Sequence, residues 1–392
     1  MQEPVILSAA RTPVGRFGGT LKALTDQDLG VLVIKEAVKR AGIDPAQVDE
    51  VCLAQQYRTG ALPPNVARPI AVNAGIPIPT PEYTVSHACG GSLKTVFLAA
   101  QAVKAGDAEL MVAGGVEHMS NAAYLVPSNR WGSRLGHAKM IDQLVLFDPL
   151  SNNTMGETAE NVAEQFQINR EDQDAFALNS QQKTKRALEL GLFKDEVVQV
   201  PIPRRKGDPV IFDTDEHPRP QTTAEDLAKL KPVFRKGGSV TAGNSSGMND
   251  GASAVVVASR QRADELGVKP LVAILGYATV GVEPSIMGIG PIEATRQALK
   301  KSGLSLGDID LIELNEAFAS QSLACIRELG MDQDKVNVNG GAIALGHPIS
   351  ATGGVILTKL IYEMKRSGKE LGLATMCVGG GMGVALVVKN LT

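Results

Sequence analysis

Cysteine occurs only four times in this 392-residue sequence, at Cys52, Cys89, Cys325 and Cys377. The four are widely separated and never form a C-x-x-C pair, and the histidines show no spacing typical of metal ligands. This pattern excludes a zinc ribbon and a thioredoxin-type motif. We therefore expect free thiols and no bound metal.

Strong net charge and long apolar runs are also absent. The formal net charge is −3, which gives no long-range attraction to nucleic acid or to an anionic membrane surface. The opening residues MQEPVILSAARTP lack the basic flank and apolar stretch of a signal peptide, and no later run is long enough to span a bilayer. We therefore expect a cytoplasmic protein that binds neither nucleic acid nor membrane.

What remains is the composition of a folded protein. Hydrophobic residues make up 44% and charged residues 21% of the chain, which is an ordinary globular balance. A chain of this length is expected to form two or three domains. The 41 glycines gather at the ends of apolar runs, where backbones turn tightly or approach a ligand closely. Their placement indicates a functional site built from loops.

The two halves of the sequence repeat each other. Residues 34–55, IKEAVKRAGIDPAQVDEVCLAQ, align with residues 295–316, TRQALKKSGLSLGDIDLIELNE, and both read as helix, turn and strand. In this alignment Asp49 matches Asp310 before the strand. Alternating helices and strands favour a largely parallel sheet with helices on its faces, and a two-fold repeat predicts two similar layered halves.

The repeat continues downstream. Residues 87–115 and 347–381 each contain a small-residue turn, an amphipathic helix, an apolar strand and glycines. Between the halves, roughly over residues 119–248, long polar and Pro-containing stretches indicate an inserted, loop-rich lobe. The lobe includes NREDQDAFALNSQQKTKRALELG, whose early acidic and late basic residues predict a helix that ends near Gly191.

Cys89 is the first candidate for chemistry. It lies between the extended segment EYTVSHA and the helix-like GGSLKTVFLAAQAV, which predicts a strand-to-helix turn. Backbone N–H groups at a helix start favour an anion, so we expect a lowered pKa and an available thiolate at Cys89. On position alone, burial as a small hydrophobic residue is an equal alternative.

Further positions could complete a site around this thiol. His347 lies in the glycine-dense NGGAIALGHPISATGG and could serve as a general base. Cys377 ends the strand LATMCVGGG, and the glycines after it, including Gly379, could donate backbone N–H groups to an oxyanion. Asn315 follows the apolar DLIEL and could orient a water or a carbonyl. The alternatives are a structural histidine, strand packing and a turn.

Four motifs, SHACGGSLK, ELNEAFA, VNGGAIALGHP and MCVGGGMG, occur in this order over almost the whole chain and resemble the thiolases. AARTPVGRFGG, MGETAENVAEQF, TAGNSSGMNDGA and IMGIGP also look like that family's pattern. The resemblance implies an α/β fold, a duplicated layered α/β/α/β/α body with the inserted lobe. It implies an N-terminal half at 1–118 plus 249–268, a CoA-binding loop domain at 119–248 and a C-terminal half at 269–392.

The resemblance also implies thiolytic cleavage of a 3-ketoacyl-CoA or the reverse Claisen condensation, with acetyl-CoA C-acetyl transfer as the expected reaction. Coenzyme A would be substrate and product, with no permanently bound cofactor. Cys89 would attack the keto carbonyl after His347 takes its proton, and Cys377 would protonate the departing enolate. One oxyanion site would lie at His347 with a water held by Asn315, the other at the N–H groups of Cys89 and Gly379. Family resemblance further implies a homotetramer or homodimer.

By the same resemblance, seven side chains would line the CoA channel or acyl pocket: Ser246, Arg219, Phe234, Met155, Met287, Ala317 and Phe318. The chain departs from the family pattern at three places. The nucleophile loop reads CGGS where C-G-S-G is usual, Thr154 stands where the short-chain biosynthetic branch commonly has His, and Ser350 replaces a common Gly. Acyl chain length and the direction of the reaction therefore stay open.

Two other readings remain. A decarboxylating ketoacyl synthase of the same broad fold would also use a cysteine nucleophile, but it normally lacks the second cysteine before the triple glycine. A non-catalytic acyl-CoA-binding protein would not need the set of Cys89, Asn315, His347 and Cys377. Both readings are disfavoured by the presence of all four residues.

Overall fold

The computed structural model describes residues 2–59, 65–132 and 134–392. The strands are β1 (Pro4–Arg11), β2 (Gly15–Arg16), β3 (Glu50–Ala54), β4 (Glu82–Val85), β5 (Leu110–His118), β6 (Tyr124–Leu125), β7 (Ile141–Asp142), β8 (Phe147–Asp148), β9 (Asn153–Thr154), β10 (Val200–Ile202), β11 (Val210–Phe212), β12 (Asn249–Ser259), β13 (Val272–Gly281), β14 (Leu311–Leu314), β15 (Leu371–Val378) and β16 (Met382–Asn390). The α-helices are α1 (Asp26–Ala41), α2 (Ala67–Asn73), α3 (Gly91–Ala105), α4 (Met155–Gln165), α5 (Arg170–Glu189), α6 (Ala224–Ala228), α7 (Arg260–Glu265), α8 (Gly290–Ser302), α9 (Ala319–Leu329), α10 (Ala342–Leu345) and α11 (Thr352–Ser367).

The principal sheet has a mirrored strand order. It runs β14-β15-β16-β13-β1-β12-β5-β3-β4, with β2 beside β12. In the first half β3 and β5 are parallel while β12 is antiparallel to both β5 and β1. In the second half β14 and β15 are parallel while β16 is antiparallel to both β15 and β13. The halves meet at the centre, where β1 and β13 pair through two residues each.

Helices cover both faces of this sheet. Two of them, α3 and α11, form an inner layer between its two halves. Helices α3 and α11 contact each other and strands of both halves. Phe97 of α3 and Leu357 of α11 lie in one buried cluster with Ile6 of β1 and Met376 of β15. Full burial of side chains of this size contributes roughly 1.5–3 kcal/mol each, so this inner layer holds the halves together. Helices α1 and α8 pack on the outer faces, and the predicted α/β/α/β/α layering is confirmed.

The internal repeat extends to single hydrogen bonds. Asp310 lies 261 positions after Asp49. The Asp49 carboxylate accepts the backbone N–H groups of residues 109 and 110 at 2.8 and 2.9 Å. The Asp310 carboxylate accepts those of residues 370 and 371, both at 3.0 Å. Each aspartate thus ties the start of one strand to the start of its parallel neighbour, β3 to β5 and β14 to β15, and the accepted N–H groups are related by the same offset.

The stretch between β5 and β12 carries short strands and helices α4 to α6. Asn169 caps α5 by accepting the N–H of Asp172 at 2.7 Å, and Gly191 follows its end with a positive φ of 65°. The helix predicted in this stretch is therefore confirmed. A buried ion cluster ties the stretch to β1, because Arg11 contacts Glu196 at 2.6 Å and Asp215 at 2.7 Å. Among the described residues, no helix has the length and apolarity needed to cross a membrane.

Candidate active site

The turn that carries Cys89 is a 3-10 segment, Ala88–Gly90, between β4 and α3. Ala88 has a positive φ of 41°, a conformation that non-glycine residues seldom adopt. The side-chain oxygen of Gln56, just beyond β3, accepts the Ala88 N–H at 3.1 Å and the Ser86 hydroxyl at 2.9 Å. The strained backbone is therefore held from a neighbouring strand end.

The two glycines after Cys89 permit the turn to pack closely. A Cβ at Gly90 would lie 2.7 Å from the Val378 side chain, and one at Gly91 would lie 2.6 Å from the Ala54 side chain. Contacts this short are not tolerated, so both positions require glycine. The CGGS sequence thus fits the nucleophile turn against β15 on one side and β3 on the other.

The thiol of Cys89 is partly exposed, and its environment differs from the sequence prediction. Burial raises its pKa to about 11, although the backbone N–H groups of Gly379 and of Cys89 itself act in the opposite direction. The expectation of a lowered pKa is therefore wrong. Desolvation of the thiolate outweighs the backbone donors at the helix start. The resting group is a thiol that needs a base.

His347 supplies a nitrogen suited to that task. Its backbone N–H donates to Asn249 Oδ1 at 2.9 Å, and its Nδ1 lies 2.6 Å from Thr352 Oγ1. Its Nε2 is buried without a hydrogen-bond partner. Burial lowers the pKa of His347 to about 4, so the ring is neutral at physiological pH. When Nδ1–H donates to Thr352, Nε2 carries the lone pair of a general base.

Cys377 and Asn315 lie at the carboxyl ends of adjacent strands. Cys377 is buried in a small cluster with Met287 and Ala317. Burial raises the pKa of Cys377 well above the usual value, and the nearby Cys89 adds to this effect. Both polar side-chain atoms of Asn315 are buried and unpartnered. An amide in this state is available to hold a water or a carbonyl oxygen.

Two cavities open on Cys89. A cavity of about 360 Å³ is lined by Cys89 and His347 and by most of the side chains that the resemblance assigned to ligand binding, namely Met155, Phe234, Ser246, Met287, Ala317 and Phe318. A second cavity of about 320 Å³ is lined by Cys89, Gln56, Met155 and Gly379 together with residues 143 and 145–149. Cys89 thus lies where two spaces of substrate size meet.

Arg219 has a different position from the other predicted ligand residues. Its side chain is exposed, its backbone N–H donates to Gln181 Oε1 at 2.9 Å, and it does not line either of these two cavities.

The departures at Thr154 and Ser350 have structural roles. Thr154 lines the larger cavity and caps α4 through a reciprocal pair with Glu157. Ser350 is fully buried in the turn after His347.

Sequence reasoning missed three polar residues of the site. Thr352, at the start of α11, contacts the His347 ring. Gln56 holds the turn that carries Cys89. Glu117 is fully buried near the end of β5. A lone carboxylate in the apolar run LMVAGGVEH was the signal that could have identified it. In the part of the chain that the structure describes, no group of His, Cys, Asp and Glu is arranged to hold a metal ion.

Known proteins match this chain over its full length. The model of the thiolase N-terminal domain matches residues 4–261, and that of the thiolase C-terminal domain matches residues 268–390. An acetyl-CoA acetyltransferase of Syntrophomonas wolfei is 53% identical, with 100% of each chain covered. The crystal structure of the Bacillus anthracis acetyl-CoA acetyltransferase superposes with a TM-score of 0.97 at 48% identity, covering 100% of this chain and 99% of that one.

A further similar structure is a complex with CoA. Human mitochondrial 3-ketoacyl-CoA thiolase in complex with CoA superposes with a TM-score of 0.97 at 41% identity, covering 100% of this chain and 98% of that one. The matches span both halves of the repeat and the stretch between them. With its duplicated layers and these matches over both halves, the chain belongs to the thiolase family of acyltransferases.

Proposed function

We propose that this chain catalyses acetyl-CoA C-acetyl transfer, the reversible condensation of two acyl-CoA molecules and the thiolytic cleavage of the 3-ketoacyl-CoA product. One observation carries the proposal. The Cys89 thiol and the His347 ring line one cavity of about 360 Å³, with Cys377 buried beside it and near enough to Cys89 for their charges to interact. The similarity to the acetyl-CoA acetyltransferases of Syntrophomonas wolfei and Bacillus anthracis supports the same reaction.

Acylation in the cleavage direction begins with a proton transfer. His347 Nε2 takes the proton of the Cys89 thiol, while Nδ1–H keeps its hydrogen bond to Thr352. The resulting thiolate attacks the 3-keto carbonyl, and the bond between C2 and C3 then breaks. The acyl group stays on sulfur as a thioester. Because the pKa of Cys89 is high and that of His347 is low, the ion pair is formed only as the attack proceeds.

Cys377 completes the proton balance. Its thiol is neutral at physiological pH because burial raises its pKa, so it can protonate C2 of the departing acetyl-CoA enolate. The Cys377 thiolate then takes the proton of incoming CoA. The CoA sulfur attacks the acyl-enzyme, and Cys89 leaves and recovers its proton from His347. Each cysteine ends the cycle in its starting state.

Negative charge on oxygen is stabilised at two places. The backbone N–H groups of Gly379 and Cys89 both act to lower the pKa of the Cys89 thiol, and together they can bind the oxygen of the tetrahedral species. His347 Nε2–H and a water held by the unpartnered amide of Asn315 can bind the enolate oxygen. Preorganised donors in a water-poor pocket are suited to charge that appears only during reaction.

The lobe at 119–248 is the proposed CoA-binding domain, set between halves at 1–118 plus 249–268 and at 269–392. Met155, Phe234 and Ser246 line the larger cavity. We further propose a homotetramer or homodimer in the cytoplasm with CoA as substrate and product. Light scattering of the purified chain tests the assembly. A monomer at micromolar concentration would contradict it.

The activity is tested with purified protein, acetoacetyl-CoA and CoA. We expect loss of the acetoacetyl-CoA enolate absorbance with formation of two acetyl-CoA. Mixing with acetyl-CoA alone should add an acetyl group to Cys89, which mass spectrometry of the Cys89 peptide detects. Decarboxylation of a malonyl thioester without thiolysis would identify a ketoacyl synthase instead. Binding of CoA with neither turnover nor acetyl-Cys89 would identify a non-catalytic carrier.

A further inference from the structure

Glu117 is a buried carboxylate for which the proposed reaction has no direct use. It lies in β5 with 0% of its surface exposed. Burial raises its pKa to about 7, and backbone N–H groups that donate to it oppose that rise. A carboxylate without a nearby cation is costly to bury unless its oxygens accept hydrogen bonds. The identity of those donors therefore indicates what it does.

All three backbone donors to Glu117 belong to segments around the reacting groups. Oε1 accepts the N–H of Tyr57 at 3.0 Å. Oε2 accepts the N–H of Gln56 at 3.3 Å and that of Ser350 at 3.1 Å. The first two belong to the loop after β3, whereas Ser350 belongs to the turn between His347 and α11. One carboxylate thus joins loops from both halves of the molecule.

The loop after β3 passes this restraint on to the nucleophile. Gln56 donates its backbone N–H to Glu117 and accepts the Ala88 N–H through its side chain. Ala88 is the strained residue directly before Cys89. On the other side, the Ser350 turn separates His347 from Thr352, the two residues whose side chains contact each other at 2.6 Å. Glu117 therefore lies at the junction of two chains of contacts, one leading to the thiol and one to the base.

We propose that Glu117 is a positioning residue that fixes the nucleophile turn and the histidine turn relative to each other for acyl transfer. This inference rests on the proposed function, because a distance between nucleophile and base matters only if Cys89 is acylated. The carboxylate does not contact substrate. Displacements of about 1 Å between reacting groups cost roughly a hundredfold in rate, so loss of this link should appear in kcat.

The first test is Glu117→Gln. The amide keeps one acceptor oxygen and places an NH₂ group against at least one of the three N–H donors. We expect kcat per titrated active site to fall roughly tenfold to a hundredfold, while KM for CoA stays within about twofold. Active sites are counted as the fraction of Cys89 that is acetylated by acetyl-CoA. Counting sites separates slow turnover from partial unfolding.

Glu160→Gln is the matched control. Glu160 is also buried and accepts backbone N–H groups, those of Ser239 at 2.9 Å and Val240 at 2.9 Å, but these donors lie away from the two turns. We expect this variant to lose a similar amount of thermal stability and to keep kcat per site within about threefold. A purely structural role for Glu117 would make the two variants alike.

The charge of Glu117 predicts that the alkylation rate of Cys89 changes in the opposite direction to kcat. The negative charge of Glu117 raises the pKa of Cys89, so its removal should increase the thiolate fraction and speed alkylation by iodoacetamide. Faster alkylation together with slower turnover is the signature of lost positioning. If Glu117→Gln equals the wild type in kcat per site, the proposal is overturned. If the wild type itself forms no acetyl-Cys89, the proposed function has failed instead.

Gln56→Leu keeps the proposal testable if Glu117→Gln does not fold. Gln56 is only partly buried, and the exchange removes the acceptor for Ala88 without changing a buried charge. We expect kcat per site to fall about tenfold, because the hydrogen bonds from the Ala88 N–H and the Ser86 hydroxyl are both lost. Unchanged kcat in this variant would overturn the proposed path from Glu117 to the nucleophile.

Discussion

The two turns at the ends of the inner helices occupy equivalent places and carry different chemistry. Residues 88–90 precede α3 and residues 349–351 precede α11, and both are 3-10 segments. The offset of 261 that relates Asp49 to Asp310 pairs Cys89 with Ser350. Cys89 is partly exposed at two cavities, whereas Ser350 is fully buried with an unpartnered hydroxyl. Two turns with the same backbone arrangement thus differ in whether the residue at this position reaches a cavity.

The reacting groups are divided unequally between the halves. At the offset of 261, the first-half counterparts are Ala54 for Asn315, Ser86 for His347, Val116 for Cys377 and His118 for Gly379. The first half supplies the nucleophile, and the second half supplies the other proposed groups. A helix start is therefore insufficient to make a reactive site. A turn also needs exposure to a cavity and partner residues from the opposite half before its side chain is placed to react.

The largest expected effect separates the two turns directly. Cys89→Ala should lower kcat for acetoacetyl-CoA thiolysis by at least about a thousandfold, as for other covalent nucleophiles. Ser350→Ala should keep kcat within about threefold, because the backbone N–H that donates to Glu117 is retained. Steady-state kinetics of both variants measure the difference. Comparable losses in the two would mean that the Ser350 turn is also part of the reaction.

A second variant sharpens the division between the halves. Cys377→Ala should slow complete thiolysis about a hundredfold, in line with loss of a general acid and base. Acetylation of Cys89 by acetoacetyl-CoA should be reduced much less than its deacylation by CoA, because cleavage of the bond between C2 and C3 places the acyl group on sulfur before Cys377 protonates the enolate. Rapid-quench mass spectrometry of the Cys89 peptide follows the first step, and CoA exchange follows the second. Equal loss in both steps would contradict the separate role given to Cys377.

The smallest effect concerns pH. Because burial raises the pKa of Cys89 to about 11, the thiolate fraction is low at neutral pH and grows as pH rises toward that value. Alkylation of Cys89 by iodoacetamide should therefore accelerate about tenfold per pH unit between pH 7 and 9. Peptide mapping gives the rate at Cys89 beside that at the buried Cys52. An alkylation rate that stops rising below pH 8 would instead support the lowered pKa of Cys89 that its place at a helix start predicts.

Much of the fold could be predicted because local patterns and the repeat specify it. The match of Asp49 with Asp310 anticipated equivalent hydrogen bonds at equivalent strand starts. The layered α/β fold and the thiolase family membership are confirmed. The antiparallel pairing of β1 with β13, which joins the two halves of the sheet, could not be predicted from the sequence, because only two residues of each strand take part in it.

The site shows where sequence reasoning stops. Cys89 and His347 line one cavity, but the predicted direction of the Cys89 pKa shift was wrong. A motif shows that a helix begins at a residue, whereas desolvation depends on side chains that arrive from distant segments. Glu117 was missed for the same reason. Its donors come from positions 56, 57 and 350, and no local pattern connects them. The roles proposed for the individual site residues remain predictions.

The contact between α3 and α11 has a consequence for how activity is acquired. Ser92 Oγ, three residues after Cys89, accepts the Gly354 N–H at 2.8 Å, so the helix that follows the thiol is fastened to the helix that follows the base. Neither half can carry out acyl transfer before the other has docked. On the proposed roles, a newly made chain can therefore be acylated only after both repeats have formed and docked.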